Sequence, residues 1–298
     1  MKNYVLTLIL IGSLMILLPV LTIYATNTPI GTVSQTPTVS EADTKKDIMD
    51  EETLIGIMAK EIPNTNELEA LKADAVAIRT YMARRILGLQ SKGAIVGYTR
   101  DEMIELWGKD NFYDTYALYK EAVDETKCEI MMYNNVPIEA VFHKASSGKT
   151  RSAKDAYNED IPYLQSVDSV KDTITNQKEI SYKDATALIK NKYPDYKGET
   201  VQNQIQVISK DDAGYVNSVQ VGNITLTGDE VRSLFGLQSA AFKIYFKDNS
   251  LLFDIKGEGS GIGLSLNGAN ELAKAGMGYE DILKLYFTGV DLEEYELQ

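Results

Sequence analysis

NELEALKADAVAIRTYMARRI, Asn66 to Ile86, is the stretch from which the rest of the chain is best read. Leu68, Leu71, Ala75, Ile78 and Met82 recur at helical spacing, so the segment predicts a helix with an apolar stripe turned toward a core. Asn66 precedes it and Glu69 follows three places later, the spacing of a capping box in which the carboxylate reaches back to the amide of the cap residue. A glutamate there is commonly structural, and the helix alone gives Glu69 no other task. Whether it also performs chemistry depends on what surrounds it elsewhere in the sequence.

The chain has 298 residues, 44% hydrophobic and 24% charged, enough to bury one sizeable core or two smaller ones. A formal charge of −13 argues against sequence-independent binding of nucleic acid, which needs a basic face to displace counterions from phosphate. Residues 1–25 differ from everything after them, with Lys2 the single charge and 21 uncharged, mainly apolar residues from Tyr4 to Tyr24. That length spans a bilayer as a helix. Ile23 and Tyr24 make a poor cleavage site before Ala25, so a transmembrane anchor is expected in preference to a cleaved signal peptide. Residues 26–50, rich in Thr, Ser and Pro, read as a stalk reaching roughly 25–30 Å as a flexible chain. The body, 51–298, is then expected on the extracytoplasmic side of the cell membrane.

Within the body, LIGIMAKEI reads as a short helix or turn, and MIELWGKDNFYDTYALYKEAV as a further helical stretch containing Trp107. CEIMMY and VPIEAVFH flank Asn134-Asn135, a hairpin turn signal. Pairing about that turn sets Cys128 nearly opposite Val141, with His143 a diagonal step away on the same face. Two such side chains make a poor zinc site, and Cys128 reads as packing. Ser181 and Asp184 sit in capping spacing before another helix. Period-two runs follow in VQNQIQVIS, GYVNSVQVG, AAFKIYFKD and SLLFDIKG, and the last forty residues turn helical again around GEGSGIGLSLNG. The expected fold is α+β, one bilobed domain of mixed helices and antiparallel strands.

Three clusters in the same order resemble one family. ELEALKADAVAIRTY is similar to the Glu-Ala-Leu-Lys-Ala-x-Ala-x-Ala-x-Arg-Thr-Tyr helix of the stage II sporulation protein D/LytB family. FHKASSGKTRSAKDAY with IPYLQSVDS resembles its second block, and TGDEVRSLFGLQSAAF with GEGSGIGLSLNGANELAKAGMGYEDILKLYFTG its closing blocks. The resemblance implies a peptidoglycan lytic transglycosylase that acts on glycan strands lacking stem peptides, in sporulation-associated wall remodelling beside a cell wall amidase. It maps the essential acid onto Glu69.

One carboxyl group suffices for that chemistry. Hydrolysis of a glycosidic bond usually takes two, but here the substrate's own C6 hydroxyl attacks and closes a 1,6-anhydro ring. Glu69 would protonate the leaving oxygen and later accept a proton, which calls for a raised pKa in a shielded setting. The resemblance also places Ser146, Ser147 and Thr150 of the SSGKT turn along a sugar groove, with Ser260 and Ser265 in the glycine loop. Gly257, Gly259, Gly261 and Gly263 would let backbone approach the sugar there. Arg79 and Tyr81 are further substrate-binding candidates.

Departures from the pattern matter. Ser260 and Leu266 stand where the family loop carries histidine and glutamine. AIVGYTRDEMIELWGKDNF lacks the Cys and His that hold zinc in some members, so neither metal nor cofactor is expected. A non-catalytic glycan-binding module, or a protein that stimulates an amidase, is the alternative these changes leave open.

Overall fold

In a computed structural model, which describes residues 50–89, 96–169, 171–172 and 174–295, the body opens with helix α1 (Glu51–Glu61), capped by the side chain of Asp50. The described residues all fall in one unit, Lys45–Gln298. The apolar segment 1–25 and the stalk, apart from Asp50, lie outside them. Among the described residues no helix is long and apolar enough to cross a membrane.

The long helix forms as α2 (Leu68–Ile86). Instead of burying one stripe, it is buried on nearly all sides. Ala70, Ala73, Ala75, Ala77 and Ala83 are closed off from solvent along with Leu71 and Val76. A helix hydrophobic on several faces belongs in the middle of a core. Its small side chains let four neighbours come close: α4 (Lys109–Glu125), β1 (Glu129–Tyr133), α8 (Leu266–Lys274) and α9 (Tyr279–Tyr286). Thr80 couples helix to strand, since its hydroxyl donates to the Val76 carbonyl at 2.7 Å and accepts from the Met131 amide at 2.9 Å. Between α2 and α4 lies α3 (Arg100–Trp107), closed by a full capping box of Thr99 and Glu102. The expected single helical stretch across Trp107 is in fact two helices. Gly108, at φ +77, ends α3 and starts α4 in a backbone conformation that other residues enter at a cost.

Asn134 and Asn135 make the expected two-residue turn, both in the left-handed region, joining β1 to β2 (Val136–Pro137). The ladder stops there. Strand β3 (Phe142–His143) leaves this sheet and pairs in parallel with β10 (Leu264–Ser265), while β11 (Asp291–Glu294) takes the other edge of β1. The register that would have set Cys128 and His143 on one face therefore does not exist.

A short helix α5 (Ala153–Tyr157) precedes a second core, built from two antiparallel three-stranded sheets. One has the order β4-β9-β8 (Thr175–Ser181, Ser250–Lys256, Phe242–Phe246), the other β5-β6-β7 (Ile205–Lys210, Val216–Val221, Ile224–Leu226). Helices α6 (Tyr182–Lys192) and α7 (Gly228–Phe235) contribute Ala185, Ile189, Val231 and Phe235 to it. The expected period-two runs match β5, β6, β8 and β9; β4 and β7 are additions. Ser181 caps α6 as its spacing predicted, although the Asp184 carboxylate accepts from the Ser181 hydroxyl and not from its amide. Arg151 ties the turn after β3 to this second core by ion pairs of 2.9 Å to Asp211 and to Asp229.

Asp74 of α2 is the costly residue of the first core. It is fully buried, its carboxyl oxygens have no hydrogen-bond partner among the described residues, and burial pushes its pKa well above 3.8. A raised carboxyl binds its proton more tightly folded than unfolded. Its contribution is therefore complete below pH 3.8 and is lost, at about 1.4 kcal/mol per pH unit, as pH rises toward the folded value. Asp74→Asn should raise the thermal midpoint at pH 8 and flatten its pH dependence; a variant less stable than wild type at that pH contradicts this.

Candidate active site around Glu69

Helix α2 starts one residue later than the capping box required. Its N-cap is Glu67, whose side chain makes no cap bond, and Leu68 and Glu69 form the first turn. The amide of Glu67 is instead capped from outside, by the Asn270 side chain of α8 at 2.8 Å. Freed from capping its own helix, the Glu69 carboxylate caps another. One oxygen accepts from the amide of Tyr279, the first residue of α9, at 2.9 Å, and the other from Lys72 at 2.6 Å. Helix α9 has no cap from its own N-cap residue, Gly278, so Glu69 supplies the anion that a helix N-terminus attracts.

Lys72 sits between two acids, 2.6 Å from Glu69 and 2.6 Å from Glu125, with its side chain only 11% exposed. The Tyr279 hydroxyl continues the chain of contacts by donating to the Glu129 carboxylate. Burial alone would push Glu69 up. The hydrogen bond from Lys72, the Tyr279 amide and the Lys72 charge outweigh it and hold the carboxyl below its ordinary value. Lys72 moves in the opposite sense: burial disfavours its charge, but both carboxylates more than restore it. The Glu69 side chain remains 36% exposed, so a polymer can reach it.

Most of the other predicted residues have structural partners of their own. Arg79 is buried, donating to the carbonyls of Thr126 and Glu129 at 2.7 and 3.0 Å and thereby closing the end of α4; burial lowers it to about 10. Tyr81 is half-buried, two positions further along α2. Ser146 and Thr150 are buried and spend their hydroxyls on the Gly148 and Val167 amides, while Ser147 donates to the Ala213 carbonyl. Ser265 caps α8, and the Ser260 hydroxyl accepts from the Ile262 amide. These side chains build the fold. The glycines act likewise: a Cβ on Gly259 would stand 2.7 Å from that of His143, and one on Gly263 would overlap the Val141 carbonyl. The positive φ and missing side chains of that loop allow its close approach to these protein neighbours.

A cleft of about 790 Å³ is bordered by α1, residues 62–64, α3, β3 and the glycine loop. Trp107, Phe142, His143, Lys144, Gln238 and Glu258 line it; Glu69 does not. His143 is 4% exposed, its Nδ1 lies 3.0 Å from the Ile262 carbonyl, and Nε2 has no partner among the described residues. Burial pushes the ring down to about 4, against the opposing pull of the Ile262 carbonyl and the Asp172 charge, so it is neutral at pH 7.

The family model described as stage II sporulation protein matches residues 40–133, which contain Glu69, Lys72 and Arg79. Stage II sporulation protein D of Bacillus subtilis (strain 168) is 33% identical over 260 residues, covering 82% of this chain and 74% of the relative. The chain belongs to the stage II sporulation protein D family. Its counterpart from Bacillus amyloliquefaciens is 31% identical with the same coverage, and an amidase enhancer of Bacillus subtilis is 25% identical over 81% of this chain and 40% of its own length. In this family member Lys72 is the partner of Glu69 that the sequence reading did not name, and the orientation of His143 was hidden from it. Lys72 was legible as an i,i+3 partner of Glu69. His143 had no such signal, because its partner Ile262 is remote in sequence.

Replacing Lys72 with Met removes both a hydrogen bond and a charge that lower Glu69. The Glu69 carboxyl should then titrate at higher pH, read by carbon-13 NMR of the carboxyl; an unchanged midpoint would mean that Lys72 does not set it.

Proposed function

We propose that this protein is a membrane-anchored, extracytoplasmic lytic transglycosylase of sporulation-associated wall remodelling. It cleaves peptidoglycan glycan strands lacking stem peptides, with Glu69 as the single acid and base. Support comes from one arrangement: a solvent-reaching carboxylate fixed at both oxygens, at the head of a helix buried along most of its length. Positioning of this kind is what a proton donor to a bridging oxygen needs.

As it stands the carboxylate is ready to act as base, taking the proton of the C6 hydroxyl as the anhydro ring closes. The acid step comes first and needs a proton on Glu69. A sugar strand laid over the half-exposed carboxylate would strip its remaining water, strengthening the influence that already pushes it up. Lys72 can retreat onto Glu125 without losing its counter-charge, since both acids lie at 2.6 Å. With Lys72 withdrawn, only the Tyr279 amide would still favour the anion.

A second reading, a glycan-binding protein that stimulates a cell wall amidase, draws on two observations. The unliganded carboxyl is held low, the wrong direction for an acid, and the amidase enhancer is among the relatives. The two readings part on one substitution. Glutamine at position 69 can still accept from the Tyr279 amide but cannot transfer a proton. Digestion of peptide-free glycan should yield 1,6-anhydro-muramic ends with wild type and none with Glu69→Gln at unchanged thermal midpoint. Equal ends from both proteins reject Glu69 as the acid; no ends from either favours the amidase partner.

A further inference from the structure

Where the two sheets of the second core meet, positive charge gathers without the acids to balance it. Lys243 on β8 stands opposite Asp254 on β9, and Lys256 follows two residues later, so these three side chains leave one face of their sheet while Phe253 and Ile255 between them enter the core. Lys210, the last residue of β5, reaches the same place from the other sheet, its ammonium donating to the Phe242 carbonyl at 2.9 Å. All four side chains line a pocket of about 180 Å³.

None of the three lysines forms an ion pair among the described residues. Asp254 is the one acid in the pocket wall, and Asp211, next to Lys210 in the chain, is spent on Arg151 at 2.9 Å. Burial, and then the charges of Lys243 and Lys256, hold the Lys210 ammonium below its ordinary value against the pull of Asp211. Like charges gathered this way raise the energy of the folded chain until a counter-charge joins them. In a chain of formal charge −13, a pocket with three ammoniums and one carboxylate runs against the composition and calls for an anion. Its volume admits one compact group. A carboxylate would bring a single charge and two oxygens. A phosphate monoester brings about −1.5 to −2 charges and three strong acceptor oxygens, one for each ammonium.

We propose that this pocket is a phosphate-binding site in which Lys210, Lys243 and Lys256 hold a phosphate monoester or free phosphate. It shares no residue with the cluster around Glu69, and it stands whether or not Glu69 cleaves glycan.

The test is phosphorus-31 NMR of glycerol 3-phosphate titrated with the full chain in a phosphate-free detergent at fixed ionic strength. Wild type should broaden the resonance saturably. Lys210→Gln and Lys243→Gln should each weaken binding roughly tenfold, while Lys190→Gln, which removes the same charge from α6 outside the pocket, should not. Circular dichroism checks that each variant is folded; Lys243 makes no hydrogen bond that its replacement would break, so that variant carries the decision if Lys210→Gln does not fold. Competition separates the sources of the phosphate: stronger displacement by inorganic phosphate assigns the free ion, and stronger displacement by a short-chain phosphatidic acid assigns a lipid headgroup. No saturable broadening in wild type, unaltered affinity in the two pocket variants, an equal loss in Lys190→Gln, or equal displacement by acetate overturns the proposal.

Discussion

A single carboxylate joins the heads of two helices. Glu69 spends one oxygen on the first amide of α9 and the other on Lys72, and through Lys72 it reaches Glu125 at the end of α4. Helices α2, α9 and α4 are thereby tied together at one point. The arrangement depends on α2 being buried along most of its length, so that its first turn cannot drift relative to its neighbours. Lys72 is the sheltered member, and leaving its charge without an acid would be costly, because it has little access to water. Lys72 escapes that cost by having two acids. Loss of either contact leaves the other, which makes the network able to rearrange without unfolding.

That freedom reconciles two demands on one residue. A helix cap wants the anion, and an acid catalyst wants the proton. A rigid cap alone would fix Glu69 in the wrong state. A carboxyl whose principal stabiliser can shift to a second partner responds to what covers it, and a glycan strand is the covering that the proposed chemistry supplies.

Much of this was legible in the sequence, and the failures have definite causes. The helices, the Asn-Asn hairpin and four strands follow from periodicity and turn chemistry, which are local. The limits of α2 and the break at Gly108 depend on one or two residues of cap geometry that periodicity does not resolve. Strand β3 was misassigned because its partner, β10, lies 122 positions away in the pairs Phe142 to Leu264 and His143 to Ser265. The structural roles of the serines were hidden for a related reason. Small hydroxyl residues in a tight turn serve equally to bind a ligand or to satisfy backbone amides, and only the folded neighbourhood chooses. Here it chose the amides for Ser146, Thr150, Ser260 and Ser265. The same neighbourhood left His143 and Gln238 without donors, a state no spacing rule encodes.

The central claim is that Glu69 changes its proton affinity when a strand covers it. Carbon-13 NMR of its carboxyl, followed across pH in the free protein and with a non-cleavable, peptide-free muramic-containing oligosaccharide bound, measures this directly. The account predicts a midpoint below the ordinary glutamate value without ligand and above it with ligand. The same low midpoint in both would contradict it.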